Sequence, residues 1–254
     1  MKTLRYELLP EDDTTQLGLI VLQSDVTIED EFRYYFEDQS VSLLANRIPF
    51  ENEVTPETLK QMALHVGNTT ALFPITSKFD AVGYACTSGA LHIGSDRIQA
   101  LVQEHRECPH VTNPMKAAIT ALRHIDAKNI AFLAPYSQHV SQTMIDKIQQ
   151  SGITISHSAT YDESQDALVG RITPQSIRQA ATDLCREAAA EDIKIDAIFI
   201  ACTNMKCARV IPEIEEETGI YALSSNLVLA WDMARLAGNP LQSTTKGKLC
   251  QPTH

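Results

Sequence analysis

The sequence predicts an α/β protein built from two similar parallel-sheet halves. Three observations carry this expectation. Short β-branched runs alternate with helical stretches along the chain, the pattern of βαβ units. One strand-and-turn motif occurs twice. Of the 254 residues, 44% are hydrophobic and 21% charged, enough apolar surface for one large core or two small ones.

Taken in order, the expected strands are Leu17 to Leu22, Ala81 to Ala85, His110 to Thr112, Asn129 to Ala134, Thr154 to Ser158, Ala197 to Ala201 and Tyr221 to Leu223. Each is a short apolar run bounded by polar or turn residues. Between them lie amphipathic helical stretches: Pro56 to His65, Asp96 to His105, Met115 to Ile125, Gln138 to Gln150, Pro174 to Ala190 and Leu227 to Leu236. Thr55 and Pro56 give the first of these an N-cap and a proline at its first helical position. Ile177, Ala180, Ala181, Leu184 and Ala188 recur at three and four spacing in the fifth.

The repeated motif is the most informative feature. Asp80-Ala-Val-Gly-Tyr-Ala-Cys86-Thr87-Ser88 returns as Asp196-Ala-Ile-Phe-Ile-Ala-Cys202-Thr203-Asn204. The flanking segments repeat as well: Ser24-Asp25 ends the strand before the first copy, and Pro135-Tyr136 ends the strand before the second. Thr112-Asn113 and Ser224-Ser225-Asn226 follow the two copies and each opens a helix. Repetition on this scale implies two like halves, expected as 1–113 plus 220–254 and as 114–219. In open α/β sheets ligands sit beyond the carboxyl ends of the strands, so Cys86 and Cys202 are expected to flank one cleft.

Charge and motif content exclude several functions. Lys plus Arg is 21 against 32 for Asp plus Glu, a formal charge of -11, so no electrostatic footprint for nucleic acid is present. No run is apolar and long enough for a secretion signal or a membrane span, and a soluble, cytoplasmic protein is expected. Six scattered cysteines suit reduced thiols better than a disulfide framework. His105, Cys108 and His110 are metal-ligating residue types, but Pro109 and the charges around it read as an ordinary helix end leading into a strand, so no metal is expected. Only 10 glycines occur and neither GxGxxG nor GxxxxGK[ST] is present, so no nucleotide cofactor is expected.

A thiolate can serve as base or nucleophile while an opposed thiol supplies a proton. A helix N-terminus is expected to lower the pKa of such a thiol. Hydroxyls and backbone N–H groups at the expected strand-to-helix turns Thr87-Ser88 and Thr203-Asn204 are the donor types that would hold the charge developing on a substrate carboxylate. A lone cysteine closing an apolar strand is ordinary core, whereas two in matched Cys-Thr contexts point to chemistry.

Tyr84-Ala-Cys86-Thr87-Ser88-Gly89, Ala134-Pro-Tyr136, Ala201-Cys202-Thr203-Asn204 and Leu223-Ser-Ser-Asn226 with Ala230-Trp231 resemble the aspartate/glutamate racemase superfamily. Within it they are most similar to the branch of maleate cis-trans isomerase, arylmalonate decarboxylase and the racemase-like proteins of ectoine utilisation. The stretch from Leu19 through Phe32 resembles the ectoine-utilisation group most. The resemblance implies two α/β domains with the site between them, no cofactor, and at least a homodimer. It also implies that Cys86 and Cys202 are the catalytic thiols and that Thr87, Ser88 and Tyr136 hold a substrate carboxylate. Decarboxylase relatives have glycine where Cys86 stands, so two thiols favour a racemase or isomerase of a small carboxylate. The alternatives are a decarboxylase of an arylmalonate-like diacid relying on Cys202, and a non-catalytic carboxylate-binding protein. The sequence departs from the maleate isomerases at Ser24-Asp25, where they carry Ser-Asn, and near Asp166-Ala167, where they tend to have Asp-Asn. An Asp at position 25 repels an anion and welcomes an ammonium, so an amino acid or diaminobutyrate derivative fits it better than maleate.

Overall fold

Apolar runs of four to eight residues become the strands. The computed structural model describes residues 1–8, 14–49 and 61–252. In chain order its strands are β1 (Thr15–Leu22), β2 (Val41–Ile48), β3 (Ala81–Ala85), β4 (His110–Thr112), β5 (Asn129–Ala134), β6 (Thr154–Thr160), β7 (Ala197–Ile200) and β8 (Tyr221–Ser224). They form two four-stranded sheets of order β2-β1-β3-β4 and β6-β5-β7-β8, and every pairing is parallel. The two orders are the same when the chain is read from β1 and from β5. The repeat in the sequence is therefore a repeat of topology, with Cys86 after β3 and Cys202 after β7.

Parallel sheets are covered on both faces, which is why their central strands are continuously apolar. Leu17, Leu19, Ile20 and Val21 of β1 and all four residues of β7 are fully buried. Helices α1 (Ile28–Phe36), α2 (Ala63–Ala71), α3 (Thr87–Ile93), α4 (Ser95–Gln103), α5 (Pro114–His124), α6 (Gln138–Gln149), α7 (Asp166–Val169), α8 (Pro174–Ala190), α9 (Ile211–Thr218) and α10 (Ser225–Leu236) supply the cover. Asn113 caps α5 by accepting from Lys116 N at 3.0 Å, with Pro114 in the first turn; Thr173 and Pro174 start α8 in the same way. Each cap satisfies an N–H that the helix itself leaves unpaired.

The differences from the expected elements have local causes. β2 was not expected, because its run Val-Ser-Leu-Leu-Ala-Asn-Arg-Ile is broken by polar residues, as suits a half-exposed edge strand. Helices α1, α3, α7 and α9 were also not expected; α3 and α7 are too short to display a period. Thr55 and Pro56 lie outside the described residues, and the helix described nearby is Ala63–Ala71. The division expected at 219/220 meets one conflict: β8 hydrogen-bonds to β7 and so belongs to the second sheet. The helix that follows it, α10, crosses back to pack on β3, β4, α1 and α5. This crossing ties the second half to the first. The stretch after Gly238 also returns to the fold, where Lys246 pairs with Asp38 at 2.9 Å and Leu249 and Cys250 are buried. Among the described residues no helix is long and apolar enough to cross a membrane.

Candidate active site

Strand β3 delivers Cys86 to the start of α3. The residue is extended, caps the helix, and its Sγ accepts from Gly89 N at 3.2 Å, with Ser88 Oγ at 3.7 Å. Burial pushes the thiol up to about 12, outweighing the Gly89 N–H and the Ser88 hydroxyl that pull it down; the Asp166 and Asp25 carboxylates push it further up.

Strand β7 delivers Cys202 to a different backbone. Its φ of +146° lies in a region L side chains rarely adopt, and no other described non-glycine residue with positive φ exceeds 58°. Two contacts fix it: Cys202 N donates to Ser225 Oγ at 3.0 Å, and Cys202 Sγ accepts from Asn204 N at 3.4 Å. Its thiol stands well above the ordinary value, first through burial and then through Asp166.

Two expectations are corrected here. Thr203 and Asn204 open an irregular turn rather than a helix, since α9 begins only at Ile211. Neither thiol is lowered by its surroundings, because desolvation exceeds what a helix start and a few N–H groups supply.

The residues around the thiols are locked together across the two halves. Thr87 Oγ1 lies 2.7 Å from Ser225 Oγ, and Thr203 Oγ1 donates to the carbonyl of Ala85 at 3.4 Å. Helix α3 packs on α6, the helix that follows Tyr136. Tyr136 is buried beside the Cys202 thiol, and burial raises its phenol well above the usual range. Its carbonyl accepts from Ser141 Oγ and Thr160 Oγ1, which sets the ring's position.

Asn204 is a hub. Its Nδ2 donates to the backbone oxygen and to Oδ2 of Asp166, both at 3.0 Å. Its Oδ1 accepts from Val26 N at 3.0 Å and from Thr27 Oγ1 at 3.2 Å. The Asn204 carboxamide thus spends its hydrogen-bonding capacity on the protein and ties the Cys202 turn to the turn after β1 and to Asp166.

The turn after β1 is the polar floor of the site. Asp25 is 1% exposed; its Oδ1 accepts from Thr27 N at 2.8 Å and from Ile28 N at 2.9 Å, while its buried Oδ2 has no partner. The neighbouring Ser24 Oγ is also buried without a partner and lies alongside Asp166. Burial raises the carboxyls of both Asp25 and Asp166. Neither is ion-paired among the described residues. Arg47 approaches closest in bonding terms, but its guanidinium donates to the carbonyls of Leu22 and Asp25 and pairs with Glu29.

All nine expected site residues, Ser24, Asp25, Cys86, Thr87, Ser88, Tyr136, Cys202, Thr203 and Asn204, fall at the carboxyl ends of β1, β3, β5 and β7. Asp166 and Ser225 complete the set and were not among them. Asp166 had a signal in its match to the Asp of the isomerase Asp-Asn pattern, and Ser225 in the repeat that sets Ser224-Ser225-Asn226 against Thr112-Asn113. The metal-ligating residue types at His105, Cys108 and His110 are not part of this set; Cys108 donates its thiol to the carbonyl of His110 at 3.0 Å.

The arylmalonate decarboxylase family model matches residues 36–250. The maleate isomerase of Geobacillus stearothermophilus is 25% identical over 224 residues, covering 83% of this chain and 86% of its own. A maleate isomerase variant from Pseudomonas putida S16, solved with maleate, has a TM-score of 0.83 at 21% identity and covers 93% of this chain and 97% of its own. A Nocardia farcinica maleate cis-trans isomerase variant with a covalently bound succinylcysteine intermediate has a TM-score of 0.80 at 21% identity, covering 93% of this chain and 98% of its own. The chain belongs to the arylmalonate decarboxylase family, in the branch of the Asp/Glu racemase-like superfamily that also holds the maleate isomerases.

Proposed function

We propose that the protein is a cofactor-independent isomerase of a small carboxylate, a racemase or a cis-trans isomerase, with Cys86 and Cys202 acting on opposite faces of the substrate. The observation that carries this reading is the pairing of the thiols. Each closes the third strand of its half, each is buried, and Asp25, Asp166 and Tyr136 bear on both. The maleate isomerase relatives, one of them solved as a succinylcysteine, support it.

In a racemisation, one thiolate takes the Cα proton and the electron pair moves into the carboxylate as an enediolate. The opposed thiol then delivers its own proton to the other face, so the two sulfurs exchange protonation states in each turnover. In a cis-trans isomerisation, a thiolate adds to one alkene carbon and the opposed thiol protonates the other, giving a thioether. The C–C single bond rotates, the opposed thiolate takes that proton back, and expulsion of the first sulfur restores the double bond. Both routes need one thiolate and donors for the carboxylate. Ser24, Ser88 and Tyr136 are the hydroxyls placed to donate, while Thr87 and Thr203 hold the turns. Because burial keeps both sulfurs as thiols in the free protein, ionisation accompanies substrate binding.

Proton NMR in heavy water tests the reading with maleate, aspartate, glutamate, 2,4-diaminobutyrate, its N-acetyl forms and phenylmalonate. Exchange of a Cα proton with loss of chirality, or fumarate from maleate, is expected, and either Cys86→Ser or Cys202→Ser abolishes it. Carbon dioxide from phenylmalonate that survives Cys86→Ser would replace this reading with the decarboxylase, and ligand binding with no turnover across the panel would replace it with a carboxylate-binding protein.

A further inference from the structure

We propose that this site selects a substrate carrying a protonated nitrogen beside its carboxylate, seated on Asp25 Oδ2 and Asp166, in preference to a dianion. The proposal rests on the two-thiol reading of the same site and names the class of molecule it takes.

The first observation is an unfilled acceptor. A buried carboxylate oxygen without a donor is costly; Asp25 Oδ2 has no donor at hydrogen-bond distance, and the Thr203 hydroxyl that bears on the carboxylate already donates to the Ala85 carbonyl. It is not free to turn away. The other oxygen of the same carboxylate is fixed by Thr27 N and Ile28 N at 2.8 and 2.9 Å, so Oδ2 is held in a set direction. An incoming N–H donor satisfies it; a carboxylate cannot.

The second observation is the balance of charge. Asp25 and Asp166 act on each other and on both thiols, and among the described residues neither has an ion-pair partner. Arg47, the nearest guanidinium in the bonding network, is committed to Glu29 and to backbone carbonyls. A dianion entering here would meet two carboxylates that no described cation pairs, with the Arg47 charge already offset by Glu29. A substrate with one ammonium and one carboxylate divides naturally: the nitrogen goes to Asp25 and Asp166, and the carboxylate to the hydroxyls of Ser24, Ser88 and Tyr136. Ser24 Oγ, buried with no partner at hydrogen-bond distance, bears on Asp166 until a substrate nitrogen takes that place, and then serves the second group.

A consequence for the chemistry follows. The two carboxylates raise the thiols, and a cation seated between them offsets that effect. The substrate that fits the charge of the site is also the one that eases formation of the thiolate.

A protonated Asp25 would act as a donor, like the Asn of the maleate isomerases, and would favour the opposite class. The groups that bear on Asp25 are Asp166, Thr203, Glu31 and the two thiols, with Arg47 on its backbone carbonyl. The two cases predict opposite pH trends: binding to an ionised Asp25 tightens as pH rises, and binding through a protonated one weakens.

Ligand-observed NMR titration of the full chain with matched pairs tests this, using aspartate against succinate and glutamate against glutarate, plus maleate and 2,4-diaminobutyrate. The expected result is that the aminated member of each pair binds more tightly by about tenfold or more, that its affinity rises with pH as the raised Asp25 carboxyl ionises, and that Asp25→Asn reverses the order. Asp166→Asn narrows the preference and serves if Asp25→Asn fails to fold. Equal or tighter binding of the dicarboxylates by the wild type, or no binding of any aminated member at millimolar concentration, overturns the proposal. Failures remain separable: turnover of maleate without a preference for nitrogen sinks this inference alone, and a preference without turnover sinks the isomerase reading alone.

Discussion

The hydroxyls of Thr87 and Ser225 lie 2.7 Å apart, and the same Ser225 oxygen accepts the backbone N–H of Cys202 at 3.0 Å. One hydroxyl on the first turn of α10 therefore touches the residue after one thiol and the amide of the other. The relative placement of the two sulfurs depends on it.

Ser225→Ala removes both contacts and leaves the Cys202 N–H unpaired in a buried setting. A loss of about 1–3 kcal/mol in stability is expected, together with a fall in kcat of about tenfold or more if sub-ångström placement matters as it does elsewhere. Urea unfolding and steady-state kinetics measure the two. A variant with normal stability and normal kcat would show that the bridge positions nothing.

Gly89→Ala is expected to displace the first thiol. A Cβ at that position would come within 2.5 Å of Met62 Cε, 2.7 Å of Tyr84 Oη and 3.0 Å of Cys86 Sγ. Met62 can swing aside, but the tyrosine and the sulfur are packed in the core. The expected cost is about 1–3 kcal/mol for overpacking, with kcat reduced far more than KM. A kinetic assay beside a thermal melt checks it.

Glu31 links α1 to the second half: Oε1 accepts from Ala208 N and Oε2 from Asn226 Nδ2, both at 2.8 Å. Burial raises its carboxyl from 4.5 to about 7. The folded state thus holds the proton more tightly than the unfolded chain. This group's contribution is full below the unfolded pKa and is lost as pH rises through the folded one, on the order of 3 kcal/mol across that window. Urea unfolding of the wild type and of Glu31→Gln from pH 4.5 to pH 8 should therefore converge in slope only above the upper limit. Parallel slopes throughout would contradict the assignment.

Alkylation reports on the thiols directly. With Cys86 pushed up to about 12 and Cys202 raised as well, iodoacetamide labelling of both is expected to be slow at neutral pH and to climb about tenfold per pH unit. Peptide mapping by mass spectrometry resolves the two sites. A fast, pH-independent phase at neutral pH would mean that a thiolate pre-exists in the free protein.

The halves of the fold and the two thiols were legible because the repeat places like residues at matching strand ends: Cys-Thr after β3 and β7, and small polar residues, Asn113 and Ser225, after β4 and β8. The repetition implied two like sheets, not the order of strands within them. What stayed hidden depended on contacts distant in sequence. β2 is an edge strand that carries polar residues on both faces, Asn46 toward Thr69 and Arg47 on the other, so its pattern carries no alternation to read. β8 reads as an ordinary short strand, and nothing local says that it pairs with β7 while α10 crosses to the other sheet. Asp166 sits on a four-residue helix and becomes part of the site only through the Asn204 amide. The thiols' raised pKa is a property of burial, which the motif alone does not disclose.

The backbone of Cys202, at φ +146°, sets fold stability against function at a single residue. Conformations of this kind cost on the order of 1–3 kcal/mol for a residue with a side chain and little for glycine. Cys202→Gly would relieve that tension and remove the sulfur in one step. The same change leaves the buried Asn204 N–H without its sulfur acceptor, so the strain relieved on the backbone is set against an unpaired donor of similar cost, and the fold gains little by giving up the thiol.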